Sequence, residues 1–406
     1  MNEVKIINDP VFGFIKIPRG LLLDIVCHPL VQRLTRIKQL GVASVVYPGA
    51  QHTRFQHSLG AFHLMSEAVL SLGQKGIFIF DSEAEAVEAA ILLHDVGHGP
   101  FSHVLEHTLI SGISHEEISH RMMEQMNNEM NGALTLAISI FKDEYPKRFL
   151  HQLISSQLDM DRLDYLSRDS FFTGVNEGSI GSARIIKMLD VVDDHLVVDH
   201  KGIYSIESYL IARRQMYWQV YLHKTAVACE AVLINVLRRA KYLIQQGKEL
   251  FATPALAFFL RHDVDRAFFN SSSEALHHYC TLDDNDIWSS VKVWREHDDK
   301  VLSLLSNDLI SRNLFKVKVY DEPISEDVIR DVQTKIKTQT GLSDEETTYL
   351  FSANTVRKNI YSMNDDHISI KYRNGTCKDI SEASELFDVT HISQKNSKYY
   401  LCYQRF

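Results

Sequence analysis

Residues 90–103 read AILLHDVGHGPFSH, and the rest of the chain can be read outward from them. Ser82 followed by Glu85 has the pattern of a capping box ahead of the apolar run Ala86 to Leu93. Gly97, Gly99 and Pro100 then stop that helix abruptly. His94 and Asp95 therefore fall at the end of a helix that is otherwise apolar. An adjacent imidazole and carboxylate are costly to bury there unless something pairs them. A divalent cation does this, because imidazole nitrogen and carboxylate oxygen are both good ligands for Zn, Mn or Fe. The plainer alternative is a histidine bonded to its neighbour at a helix C-terminus, where positive charge is welcome. A lone His-Asp pair favours that alternative, so the surrounding sequence has to decide.

Histidine is concentrated around this stretch, with nine of the 20 falling between His52 and His120. Upstream, residues 52–60 read HTRFQHSLG and open a helix expected over about 53–72, ended by Gly73 and Gly76. Phe55, Leu59 and Phe62 point to its core side. Arg54 and His57 are three apart and share a face, which lets one ligate a metal while the other meets a phosphate. Downstream, residues 159–169 read DMDRLDYLSRD. Asp161, Tyr165 and Asp169 form one polar stripe at i, i+4 and i+8, whereas Asp164 and Arg168 read as a solvated charged face. In residues 213–224, RRQMYWQVYLHK, Arg213, Tyr217 and Tyr221 share a face that suits a cation over phosphates with aromatic walls beside it. By itself such a face is more often packing.

The 406 residues carry 45% apolar side chains, with 43 Lys plus Arg against 52 Asp plus Glu and a net charge of −9. That excludes a disordered, collagen-like or disulfide-stapled chain. The acidic balance and the lack of a long basic block count against a partner such as nucleic acid. Five well-separated cysteines, Cys27, Cys229, Cys280, Cys377 and Cys402, read as reduced thiols. No basic stretch precedes an apolar run at the start, and no apolar segment is long enough to span a bilayer. A cytoplasmic protein without membrane association is expected.

An opening hairpin is expected from residues 4–7 and 14–17, then helices over 29–40, 115–130, 146–168, 182–190 and 205–246, interrupted by a short hairpin of 196–198 with 203–204. After about residue 306 the pattern changes. Residues 314–320 and 399–406 read as strands, 325–338 as a helix, and Asn374-Gly375 as a hairpin turn. The expected architecture is mainly α, a helical body over residues 1–305 with a small α+β region over 306–406.

Taken together, INDPVFG near the start, RLTRIKQLG, YPGAQHTRFQHSLG, HDVGHGPFSH, SHEE at Ser114, DMDRLDYLSRD and YLHK resemble the HD-domain metal phosphohydrolases. Within them, the chain is most similar to the deoxynucleoside triphosphate triphosphohydrolases. The resemblance implies an HD-domain helical bundle with small β-hairpins, and one divalent metal ion (Mn, Fe, Mg, Zn or Ni) held by His57, His94, Asp95 and Asp161. It places Arg54, Arg162, Arg213 and Lys224 near the triphosphate or a neighbouring nucleotide site. Gln39, Leu40 and Asp169 match segments that hold the sugar, with its 3′-hydroxyl as the polar target. Tyr165 and Tyr221 match walls that crowd C2′ and select deoxyribose, and Tyr217 stands where relatives often carry histidine beside the base. His98, His103 and His115 match the histidines around the scissile bond, with His103 or His115 as donor to the departing 5′-oxygen.

The implied reaction converts a deoxynucleotide substrate to deoxynucleoside and triphosphate, in a homo-oligomer (dimer or tetramer). The sequence departs from the family at Phe12, which replaces a histidine. It departs again at Cys27 and Thr35, which stand where an acid and an arginine read guanine in nucleotide-activated members. No guanine-nucleotide requirement is therefore expected, and Cys27 reads as a packing residue. The rival functions are an HD phosphohydrolase on another phosphoester, and a non-catalytic nucleotide sensor or single-stranded nucleic-acid binder.

Overall fold

The apolar run before His94 becomes the helix Asp81–Leu93, in which Ala86, Val87, Ala89, Ala90, Ile91, Leu92 and Leu93 are all buried. The computed structural model describes residues 4–106, 108–358, 367–384 and 396–405. In it this helix packs against Arg54–Gln74, Thr135–Phe141, Leu21–Cys27 and Arg148–Ile154 in a mainly α body. Its cap is shifted from the expected one. Glu83, not Glu85, reaches back to the Phe80 N–H at 2.8 Å. Glu83 is buried and also takes bonds from the Tyr145 hydroxyl at 2.6 Å and the Lys147 ammonium at 2.7 Å, partners that exposed Ser82 and Glu85 lack. Tertiary partners decided the position of the cap.

Helix Arg54–Gln74 starts from a Thr53–Gln56 capping box and packs on both Asp81–Leu93 and Met160–Thr173. Gly60 allows the latter crossing, because a Cβ there would overlap the Asp164 carboxylate and the Arg168 guanidinium. The helix expected over 29–40 ends early, as Pro29–Arg33 followed by a 3-10 turn, Leu34–Arg36. Ile37 is extended, and the Lys38 N–H goes to Asp284 at 3.0 Å. The helix expected over 146–168 is two, Arg148–Ile154 and Met160–Thr173, separated where Asp159 accepts the Ser156 and Arg162 N–H groups. The one expected over 205–246 is interrupted by a π-helical turn, Tyr217–Tyr221, between Ile203–Met216 and Lys224–Gln245.

The opening hairpin pairs Val4–Asp9 with Gly13–Pro18. The mid-chain hairpin pairs Leu189–Val192 with His195–Asp199, earlier than expected. Asp193 and Asp194 take positive φ (50° and 60°) in its two-residue turn, and Ile203 and Tyr204 begin a helix instead. In the C-terminal part, Asn396–Tyr403 lies between Lys316–Tyr320 and Phe351–Lys358 in an antiparallel sheet, with helix Glu326–Thr340 beside it in sequence. Ser369–Lys371 and Cys377–Asp379 form the hairpin around Asn374-Gly375, and Ser369–Lys371 also runs parallel to His195–Asp199. The five cysteines are free, and no single helix among the described residues is long and apolar enough to cross a membrane.

Candidate active site

Three helices converge on one polar cluster. His57 sits in the first turn of Arg54–Gln74, His94 and Asp95 follow the end of Asp81–Leu93, and Asp161 lies in the first turn of Met160–Thr173. His57 Nε2 is 3.3 Å from His94 Nε2 and 3.1 Å from Asp161 Oδ1. His94 Nε2 is 3.5 Å from Asp161 Oδ1 and 3.4 Å from Asp95 Oδ1, and Asp95 Oδ2 is 3.7 Å from His57 Nε2. Metal–ligand bonds of about 2.1 Å at tetrahedral or octahedral angles give donor–donor edges of roughly 3.0–3.4 Å. His57, His94 and Asp161 form a group that could hold a divalent cation, and Asp95, whose oxygens also meet Arg54 and His98, borders it.

The outer bonds of the imidazoles strengthen that fit. His57 Nδ1 is 2.6 Å from Asp164 Oδ2, and His94 Nδ1 is 2.6 Å from the Ile91 carbonyl. Each Nδ1–H is therefore donated outward, and the two Nε2 atoms face each other and Asp161, where a positive charge is favoured. The ionisation of the cluster expresses the same demand. Burial disfavours charge on His57, yet bonds to Asp161 and Asp164 outweigh it and push its pKa up to about 10. Burial likewise opposes charge on Asp161, yet His57 and His94 hold it far below the usual carboxylate range.

Asp164 and Arg168 are not the solvated face that the sequence suggested. Both are fully buried. Arg168 donates to Asp164 and to Asp9, the latter at 2.7 Å, and Asp164 orients His57. At about 100° per residue, positions 161, 164, 165, 168 and 169 share an arc of roughly 140°, so the helix presents one broad polar face, and helix Arg54–Gln74 covers the part of it near Gly60.

Beside this cluster, Arg54 donates to Asp95 Oδ2 at 2.6 Å. His98 Nε2 lies 3.2 Å from Asp95 Oδ1, and its ring stacks on His115 at 3.9 Å. Burial, with Arg54 adding to it, pushes His98 down to about 3, so the ring is neutral. Asp95, His98 and His115 also form a group of three donors. The Arg54 guanidinium on the same carboxylate disfavours a second cation there. The His103 side chain lies outside the described residues; its backbone belongs to the helix Ser102–Glu106.

A second cluster, around Asp169, is aromatic and cationic. The Tyr221 hydroxyl donates to Asp169 Oδ2 at 2.7 Å, and the other Asp169 oxygen lies 2.7 Å from His52 Nε2. Tyr221 contacts both Tyr165 and Tyr217 edge-on, at 6.2 and 5.2 Å between ring centres. Tyr217 and Tyr221 open and close the π-helical turn. Arg162 pairs with Asp159, and Arg213 donates to Gln157 Oε1 at 3.0 Å, yet the Nε of each arginine is buried without a partner. Gln39 Oε1 is also buried and unpartnered, next to Leu40, which packs on the core. Lys224 is exposed at the start of its helix. Cys27 and Thr35 are exposed too, so Cys27 is not the packing residue expected.

A family model described as HD domain matches residues 54–169, which hold all four proposed ligands, and one described as HD associated region matches residues 180–252. A crystal structure of a phosphohydrolase from Bacteroides thetaiotaomicron superposes with a TM-score of 0.97, at 65% identity over 99% of this chain and 100% of that one. The chain belongs to the HD-domain phosphohydrolases. An uncharacterized Bacillus subtilis protein, YwfO, is 34% identical to this HD-domain phosphohydrolase over 324 residues, 78% of this chain and 72% of its own. The human deoxynucleoside triphosphate triphosphohydrolase SAMHD1 is 29% identical over 290 residues. That match takes in 60% of this chain and 46% of the human protein, so the HD-domain phosphohydrolase spans about half the length of that relative.

The residues that sequence reading passed over are the ones that orient others. His52 aligns Asp169, Asp159 pairs with Arg162, and Gln157 holds Arg213. Only the spacing of Asp164 and Arg168 from Asp161 on one helical face carried a signal. The other pairings join residues distant in sequence or in the break before Met160.

Proposed function

We propose that this phosphohydrolase cleaves deoxynucleoside triphosphates to deoxynucleoside and triphosphate. The observation that carries the reading is the His57–His94–Asp161 cluster, which could hold a metal, beside half-buried Arg162 and Tyr165 on the same helix as Asp161, with the Arg162 Nε buried and unpartnered among the described residues. The likeness to SAMHD1 supports it. A divalent cation on His57, His94, Asp95 and Asp161 would supply activated water and polarise the phosphate near neutral pH. Arg54, Arg162 and Arg213 neutralise phosphate charge. Asp169, held by His52 and Tyr221, offers its carboxylate to the 3′-hydroxyl, while Tyr165 and Tyr221 crowd C2′ and Tyr217 faces the base. His115 or His103 delivers the proton to the departing 5′-oxygen.

The test is to incubate the protein with each dNTP and Mg, Mn or Fe, then separate nucleoside, monophosphate and polyphosphate. Deoxynucleoside with intact triphosphate is expected. Exclusive turnover of monophosphates or cyclic nucleotides would move the enzyme to another HD phosphohydrolase class. By the same reading it works as a homo-oligomer, in a reducing compartment suited to its free cysteines, without a guanine-nucleotide activator. Thr35 turns its hydroxyl back to the Gln32 carbonyl, and Cys27 offers no charge to a guanine edge. Light scattering and dATP turnover with and without GTP check these points; a monomer or a strong GTP dependence would overturn them.

A further inference from the structure

The turn that carries His94, Asp95 and His98 is gripped through its backbone. The Ser119 hydroxyl donates to the His94 carbonyl at 2.8 Å and accepts the Gly97 N–H at 2.9 Å. The Tyr279 hydroxyl donates to the Gly97 carbonyl at 2.8 Å. Arg33 donates both terminal nitrogens to the His98 carbonyl, at 2.9 and 2.8 Å. Gly97 has no room for a Cβ, which would overlap the His115 carbonyl and the Ser119 backbone nitrogen. A Cβ on Gly99 would sit 2.7 Å from Leu105 and 2.8 Å from the Tyr279 hydroxyl.

Arg33 is the unusual member. It is 1% exposed, and no carboxylate pairs with it among the described residues; Asp283, an acid that acts on it electrostatically, is paired with Arg36. Its guanidinium lies 5.4 Å from the Tyr279 ring centre. A buried cation whose polar bonds go to one neutral carbonyl is expensive, and an apolar side chain of similar length would fill the space at less cost. Keeping the charge makes sense if the fork holds the His98 peptide in one orientation. Arg33 and Tyr279 come from the helices Pro29–Arg33 and Ser273–Thr281, both outside residues 54–169 and 180–252.

We propose that Arg33 and Tyr279 are positioning residues that clamp the Asp95–His98 turn, setting the angle at which Asp95 meets the metal and His98 meets the scissile phosphate. The catalytic half of this inference rests on the phosphohydrolase reading above. The metal half can be read with no substrate present. The experiment compares wild type with Arg33→Met, Arg33→Lys and Tyr279→Phe after loading with Co²⁺. It records the visible Co²⁺ spectrum, metal per chain, the melting curve, and kcat and KM on dATP.

Arg33→Met is expected to alter the Co²⁺ band and lower kcat about a hundredfold, with KM within about twofold and metal per chain unchanged. Arg33→Lys should recover part of the loss, and Tyr279→Phe should lose about three- to tenfold. An unchanged spectrum and kcat in folded Arg33→Met would overturn the clamp, as would equal behaviour of the Met and Lys variants. Metal loss that only tracks a lowered melting temperature would also overturn it, because the pair would then be plain support. If Arg33→Met does not fold, Tyr279→Phe decides by the same spectrum and kcat. If wild type leaves dATP intact, the substrate reading fails, and the Co²⁺ spectra still decide the clamp.

Discussion

The two ends of the candidate site are built on opposite terms. At the metal end the outward bonds of the histidines are complete: Asp164 and Ile91 take the two Nδ1–H groups, Arg168, itself held by Asp9, completes Asp164, and Arg54 braces Asp95. What is left inside is a small cluster of imidazole nitrogens and a carboxylate that could hold one cation. At the aromatic and arginine-lined end, Gln39 Oε1, His52 Nδ1, Arg162 Nε and Arg213 Nε are buried with no partner among the described residues. Buried polar groups of this kind are costly unless something bonds to them. The first end suits a point charge, and the second suits a larger ligand with several polar groups.

Asp95→Ala tests the first end most severely. It removes a ligand and frees Arg54, and turnover should fall by about a thousandfold or more with loss of bound metal. Full turnover with retained metal would break the assignment. Asp164→Asn should cost about 3–5 kcal/mol, because Arg168 stays buried with less compensation, and should weaken metal binding roughly 10–100-fold by loosening His57. Denaturant unfolding and metal titration measure the two effects, and a variant as stable and as tightly metallated as wild type would mean that the buried network does not support the ligands.

Asp284 joins the second end to the rest of the molecule, since it anchors the Lys38 N–H next to Gln39. Burial raises its pKa to about 7 against the Lys38 bond, with Asp283 adding in the same direction. The folded protein keeps this proton where the unfolded chain, at the ordinary value of 3.8, has lost it. Stability should therefore fall as pH rises from about 4 to about 7 and stay at its lower level above that. Asp284→Asn should be more stable than wild type at pH 8 by about 2–4 kcal/mol, with the difference gone near pH 4. Parallel stability curves for the two proteins would contradict the shift.

The smallest effect concerns selectivity. Wild type should prefer dATP to ATP, and Tyr221→Ala, which removes the hydroxyl on Asp169 and the wall beside Tyr165, should relax that preference about tenfold. Competition assays with mixed nucleotides measure it. An unaltered ratio would move the discriminating contact elsewhere in the site.

Local spacing determined a good deal of this molecule. The apolar period before His94, the glycines after it, and the one-face placement of Arg54 with His57 and of Asp161 with Tyr165 were enough to expect a mainly α chain and a cation near His94 and Asp95, because side chains three and four apart on a helix must share a side; the full ligand set came from the family resemblance. Where helices stop was decided elsewhere. Asp284 takes Lys38 out of a helix, Asp159 starts a new one at Met160, and buried Glu83 moves a cap by two residues. The same holds for charge. Asp164 and Arg168 carry the same side chains whether they face water or a neighbouring helix, and Arg33 looks in sequence like any other surface arginine. Only the packing of Gly60 over Asp164, and of Tyr279 beside Arg33, settles that these groups are buried. Burial depends on which elements meet across long separations in sequence, and helical periodicity carries no information about that partner.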